Sequence, residues 1–232
     1  MEGLPRGVQT ASDLTPDIGS PDTLRRHRYA YRMGARQRVF TVAEYLELEN
    51  DADERHEYQD GEILAMPGGS PEQSFIIANF VREAGNALKG KPCRVAVSNL
   101  RVRIAHKLRY VYPDASIICG PLQFDPQDLR RHTILNPKVI IEVLSPSTEN
   151  YDRGDKFTQY REIQAFEEYI LISQDRPNFE SFLRQADGAW SILNFTGLDA
   201  AAKIRRLGIS ISMAELYAGI EWPSSATEAA AN

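Results

Sequence analysis

Lys138-Val139-Ile140-Ile141-Glu142-Val143-Leu144 is the stretch on which the reading of this chain turns. Apolar, mostly β-branched residues fill both alternating sets of positions, and Pro137 and Pro146 bracket the run. The pattern predicts a strand covered on both faces, as at the centre of a sheet in an α/β or α+β protein. Glu142 interrupts it. A carboxylate in a dry strand loses its water, so it must be neutralised, paired or bound to a cation. Whatever faces Glu142 is therefore the place to look for function.

Upstream, Val111-Tyr112-Pro113-Asp114-Ala115-Ser116-Ile117-Ile118-Cys119 reads as a second apolar strand whose acid follows a proline. If the two strands are neighbours, Asp114 and Glu142 converge at one end of the sheet. Two carboxylates that close repel unless a cation or a shared proton lies between them. Oxygen donors of this kind suit Mg²⁺ or Mn²⁺. The other reading of Asp114 is a cap on the turn after Pro113. Downstream, Asp152, Lys156 and Tyr160 are spaced by four in a helix predicted from about Asp152 to Ile163, so they share a face. Lys156 then either positions water and stabilises phosphate charge beside the carboxylates, or forms an exposed pair with Asp152 worth about 0.3–0.5 kcal/mol.

Around this centre the remaining elements alternate. Thr41-x-x-Glu44 is a capping box opening a short helix. Strands at Arg55–Gln59 and Glu62–Met66 flank Asp60-Gly61, a two-residue hairpin turn. A helix is predicted over Ser74–Leu88, and strands over Arg94–Val97 and Leu100–Ala105. Residues 120–137 read as a loop rich in Pro, Asp and Arg. Beyond the central run come a strand at Glu168–Ser173, a hairpin of Phe179–Gln185 and Ala189–Phe195 around Asp187-Gly188, a strand at Ile204–Ile211 and a helix at Met213–Ala218. The fold class expected is α/β (α+β), a mixed central sheet flanked by helices. The domain is expected at 38–222. Before it lies a basic extension, 1–37, and after it a short tail, 223–232.

Composition narrows the function. The chain has 232 residues, 42% of them hydrophobic, and a net charge of −5, which disfavours a generic nucleic-acid binder. The distribution matters more. Residues 1–38 hold seven arginines against four acids, and no acid occurs from Ala84 to Pro113, where Arg101, Arg103, Lys107 and Arg109 fall. Such a band fits a polyanion lying on one face; it fits a solvated hairpin equally well. No apolar run approaches the roughly 18–20 residues of a membrane span. No apolar leader is present either, which leads us to expect the cytoplasm. Cys93 and Cys119 are read as free, partly buried thiols. The four histidines are scattered, and no Walker-type or GxGxxG loop occurs.

The combination of Pro113-Asp114, Glu142-Val143-Leu144-Ser145-Pro146-Ser147-Thr148, Asp152, Lys156, Tyr160 and Glu168-Tyr169 resembles a large bacterial family of restriction-endonuclease-like proteins in the PD-(D/E)XK nuclease superfamily. Phe40-Thr41-Val42-Ala43-Glu44-Tyr45-Leu46 and Glu57-Tyr58-Gln59-Asp60-Gly61-Glu62-Ile63 match it too, so the resemblance covers roughly 40–222. It implies a restriction-endonuclease-like fold and a Mg²⁺- or Mn²⁺-dependent deoxyribonuclease, with DNA as partner and a homodimer as assembly. Asp114, Glu142 and the Val143 carbonyl would hold the metal. Lys156 would replace the superfamily's lysine two residues after the acid, where this chain has Leu144. Glu57 matches an acidic position of the family's first hairpin, although a half-exposed hairpin carboxylate explains it as well. Asp152 and Tyr160 would support Lys156, and Arg101, Arg103, Lys107 and Arg109 would contact the DNA backbone. Gln73 stands where the family often has histidine, which argues against a site role at that position. The alternative is a nuclease fold with weak or lost activity, kept for binding nucleic acid or a protein.

Overall fold

The computed structural model describes residues 38–66, 68–104 and 108–222. The expected extension 1–37, the tail 223–232 and Lys107 lie outside them. The chain divides into two units, Met1–Arg38 and Val39–Asn232, and all the described elements belong to the second.

In chain order the elements are α1 (Val42–Asp51), β1 (His56–Gln59), β2 (Glu62–Ala65), α2 (Pro71–Ala87), β3 (Cys93–Val97), β4 (Arg101–Ile104), β5 (Arg109–Val111), β6 (Ala115–Cys119), β7 (Thr133–Ile134) and β8 (Val139–Leu144). A helical segment, α3, comes next in three pieces: Glu149–Tyr151, a π-helical turn Asp152–Lys156, and Phe157–Tyr160. Then come β9 (Glu168–Ser173), β10 (Asn178–Arg184), β11 (Trp190–Thr196), β12 (Ala201–Ile204), β13 (Ile209–Ser212) and α4 (Met213–Leu216). The predicted α+β class with mixed sheets flanked by helices holds.

Two sheets dominate the described residues. A six-stranded sheet runs β11-β10-β9-β8-β6-β3, and a five-stranded sheet runs β2-β1-β5-β4-β7. In the larger, β8 pairs antiparallel with β6 and parallel with β9. Every residue of β8 is buried, as its apolar run requires. Alternation sends Val139, Ile141 and Val143 into a core with Ile76, Phe80 and Ala84 of α2 and with Ile211 and Leu216. Ile140 and Leu144 point the other way, into a core with Tyr160, Phe166 and Tyr169 and with Val102, Ile104 and Val111 of the smaller sheet. Glu142 shares parity with that second set, so it faces α3. On the far side of the smaller sheet, Tyr45 of α1 packs on Tyr58 and Tyr110.

Several local expectations change. The stretch expected as one strand from Val111 to Cys119 is broken: β5 belongs to one sheet and β6 to the other. Pro113 has no N–H to give a ladder, and the chain crosses between the sheets there. Ser70 caps α2 with Pro71 in its first turn, so the helix starts ahead of the predicted Ser74. The loop read over 120–137 contains β7, which lies parallel to β4. The strand expected over Ile204–Ile211 is a hairpin, β12–β13, joined by a 3₁₀ turn ending at Gly208 in the left-handed region. Asp60 and Gly61 both take positive φ, 51° and 100°, as a type I′ hairpin requires, and hold the predicted β1–β2 turn.

The cysteines were misread. Cys93 and Cys119 are directly opposed on β3 and β6 and are joined as a disulfide. Their separation of 26 residues in sequence hid a cross-strand register that no spacing argument reveals. An exposed apolar strand such as Phe179–Leu183 could serve the homodimer that the resemblance implies, but this strand is interior to its sheet. Phe179 is fully buried, and β10 lies between β9 and β11. Its neighbour β11 is the edge and carries exposed Ile192 and Leu193.

Candidate active site

Register brings the two acids together. Ala115 pairs with Ile141, so Asp114, one residue earlier, sits beside Glu142. The contact is reciprocal through the backbone. Val143 N–H donates to Asp114 Oδ2 at 2.7 Å, and Asp114 N–H lies 3.4 Å from Glu142 Oε2. The expected convergence of Asp114 and Glu142 at one sheet end is therefore what the geometry gives. It falls where the chain passes from the smaller sheet to the larger.

Glu142 is 3% exposed, and α3 supplies its partners. Lys156 Nζ is 2.9 Å from Glu142 Oε1 and 3.4 Å from Asp152 Oδ1. Tyr160 Oη donates to the same Glu142 oxygen at 2.7 Å. Lys156 is only 8% exposed, so it is not the exposed i,i+4 pair that the spacing also allowed. The π-helical turn Asp152–Lys156 widens the helix where these side chains leave it, and Tyr169 Oη donates to the Asp152 carbonyl at 3.1 Å, holding that turn. Leu144, two residues after Glu142, is buried in the apolar core on the same face as Glu142.

Electrostatics follow from burial. Desolvation pushes the Glu142 carboxyl up to about 8; Lys156 opposes the rise, and Asp114 and Asp152 add to it. Burial alone would lower Lys156, but attraction to Glu142, with Tyr160, Glu57 and Asp152 contributing, holds it well above the ordinary lysine value. Lys156 is thus a charged donor, not a base. Burial also raises Asp114, against Lys156, the Val143 N–H and Gln73.

Gln73 is the residue the sequence reading set aside. Its Nε2 donates to Asp114 Oδ2 at 3.1 Å and Oδ1 at 3.3 Å, and lies 3.4 Å from the Val143 carbonyl. The usable signal was Ser70-Pro71-Glu72-Gln73. Ser70 Oγ accepts the Gln73 N–H, as in a capping box, but the Gln73 amide turns to Asp114. Glu57 of β1 accepts the Tyr112 N–H at 3.2 Å and contributes to the field on Lys156.

The basic band needs correcting. Arg101 and Arg103 do share a strand face, but it points inward. Arg101 is 1% exposed and pairs with Asp128 at 2.9 Å, also meeting Thr133, Asn50 and Tyr112. Arg103 pairs with buried Asp125. Both guanidiniums are paired with carboxylates from the loop after β6, although the buried Nε of Arg103 has no hydrogen-bond partner. Arg109 is paired with an exposed acid instead. Its Nη2 reaches Asp60, while its Nε and Nη1 are buried with no hydrogen-bond partner. The pairing Gln59↔Arg109 puts it on the same face of the sheet as Glu57 and diagonal to it.

Among the described residues no three His, Cys, Asp or Glu side chains group to hold a metal by themselves. The donor set is two carboxylates and the Val143 carbonyl, which suits a hard cation that keeps several waters. It fits in a further respect: the partial positive charge of an amide NH₂ already lies between Asp114 and the carbonyl.

Comparison with known proteins bears on family and fold. Residues 42–214 match the family model Uma2, described as "Putative restriction endonuclease". "Uncharacterized protein slr1290" of Synechocystis sp. is 37% identical over 179 residues, covering 76% of this chain and 90% of that one. "Uncharacterized protein sll1609" of the same organism is 32% identical over 166 residues, covering 72% and 93%. A crystal structure from Anabaena variabilis, described as "a putative nuclease belonging to DUF820", superimposes with a TM-score of 0.62 at 18% identity, covering 78% of this chain and 99% of that one, and shows the shared fold. The chain belongs to the Uma2 family.

Proposed function

We propose that this protein is a metal-dependent nuclease that hydrolyses phosphodiester bonds of DNA. One observation carries the reading: a half-buried carboxylate, a buried one and a backbone carbonyl converge at a sheet junction, with a charged lysine from the next helix against the buried one. Asp114, Glu142 and the Val143 carbonyl would hold Mg²⁺ or Mn²⁺. Bound there, the cation would supply Lewis-acid polarisation of the phosphate and a more acidic water.

The remaining work belongs to the chain's own side chains. Lys156, kept charged by Glu142, offers N–H donors to the attacking water or to the charge growing on phosphorus-bound oxygen. Tyr160 fixes the Glu142 carboxylate, and Asp152 fixes Lys156 from the preceding turn. Glu57 adds to the negative charge acting on Lys156. Arg109, whose partner Asp60 is exposed, is the guanidinium of the basic band assigned to a phosphate oxygen beside the scissile one. Phosphate contacts carry no base information, so no target sequence follows.

The test incubates supercoiled and linear DNA with the protein in Mg²⁺, Mn²⁺ or EDTA, next to Glu142→Ala and Lys156→Ala. Metal-dependent nicking or cutting that both substitutions reduce at least a hundredfold supports the reading. Equal cutting by the variants removes it. DNA binding with no cutting by the parent protein replaces it with the nucleic-acid-binding relative.

A further inference from the structure

The Gln73 amide sits where two groups that carry no hydrogen to offer face each other. Asp114 is a carboxylate and the Val143 carbonyl is an acceptor, so only the NH₂ side of the amide can point between them. With its oxygen inward, Gln73 would meet two repelling oxygens. A cation in the same space reverses that preference, because it favours an inward oxygen and repels the NH₂.

The surroundings leave room for such a reversal. Gln73 Oε1 now lies against Gly69, so close that a Cβ at position 69 would come within 2.3 Å of it. Gly69 is therefore required by the amide. Ser70, which caps the helix under Gln73, is itself tied to Gln174 at 3.1 Å, so the helix start that carries the amide is anchored across the fold. The amide can turn about its last bond without moving the backbone, since a terminal amide torsion is broad and roughly two-fold.

We infer that Gln73 is a two-position ligand: its NH₂ bridges Asp114 and the Val143 carbonyl when no cation is bound, and its Oε1 joins these two and Glu142 as a fourth protein oxygen when a divalent cation enters. This rests on the metal-dependent reading above and adds a ligand to it. A neutral amide oxygen suits Mg²⁺ and Mn²⁺, where an imidazole would favour softer ions.

The experiment is Mn²⁺ titration by isothermal calorimetry on parent protein, Gln73→Ala, Gln73→Glu and Asp114→Asn, each first checked for a cooperative melt. Removing a directly bound oxygen should weaken Mn²⁺ binding in Gln73→Ala by roughly tenfold or more. Gln73→Glu keeps an oxygen at the same reach and should bind at least as tightly as the parent. If Gln73→Ala binds as well as the parent or better, the amide only obstructs the site, and the inference falls. It falls equally if Gln73→Glu binds no better than Gln73→Ala. Failure of the metal reading looks different: the parent then shows no Mn²⁺ binding that Asp114→Asn abolishes, and both ideas go together.

Discussion

Replacing Glu142 by glutamine should change how stability depends on pH, and by an amount the structure sets. In the folded chain burial lifts this carboxyl from its ordinary 4.5 to about 8. Unfolding returns it to water. A folded value above the unfolded one means that the carboxyl's contribution is fully present below about pH 4.5 and is lost as pH climbs through about 8. At 1.36 kcal/mol per pH unit, the difference amounts to about 5 kcal/mol across that window. The groups facing it are Lys156, Asp152 and Tyr160 from α3 and Asp114 ahead of β6, while Glu57 of β1 acts on Lys156. Asp114, also raised, adds loss of the same sign; Lys156 stays charged throughout. Glutamine keeps the shape and an oxygen for Lys156 and Tyr160 but does not titrate. The assay is urea unfolding of both proteins in EDTA at fixed ionic strength from pH 5 to pH 9. Parent stability should fall with pH several kcal/mol further than that of Glu142→Gln. The slope is the readout, so any constant effect of the substitution cancels. Two parallel curves would refute the claim that burial lifts the Glu142 carboxyl above its ordinary range.

Other outcomes follow from neighbouring geometry. Tyr160→Phe removes a 2.7 Å hydrogen bond to a buried carboxylate and should cost about 1.5–3 kcal/mol in the same urea assay without changing the fold. Arg101→Met strands Asp128 in the interior and should cost about 3–5 kcal/mol, while DNA affinity per folded molecule, measured by fluorescence anisotropy, stays at the parent level. Arg109→Ala should weaken that affinity and lower its salt slope by about 1. Gly69→Ala should leave the melting temperature within a few degrees and reproduce the Mn²⁺ defect of Gln73→Ala, because the atom it displaces is the end of a flexible side chain.

How much of this was legible before folding depended on whether the information was local. The β8 run, its two-sided burial and the problem posed by Glu142 are local, and they led directly to Asp114, Lys156 and Tyr160. The hairpin at Asp60-Gly61 and the cap at Thr41 are local too. The fate of Arg101 and Arg103 is not. Strand alternation puts them on one face, but which face is dry depends on Asp125 and Asp128, carried back by a loop with no periodicity to read. The Cys93–Cys119 pairing is likewise a matter of register. Gln73 was missed for a subtler reason: its helix position was readable, but the acceptors waiting for its amide belong to β8 and to the crossing at Pro113.

Carrying the ammonium on a helix has a mechanical consequence. Were it two residues after Glu142, the pleat of β8 would set its distance to the carboxylates. Lys156 instead rides on α3, which the Arg153–Glu180 fork clamps to β10. The acids are fixed by sheet hydrogen bonds, whereas the positive charge is fixed by how a short helix docks. Anything that loosens that clamp shifts the cationic half of the site and leaves the anionic half in place, so the two halves can be tuned separately.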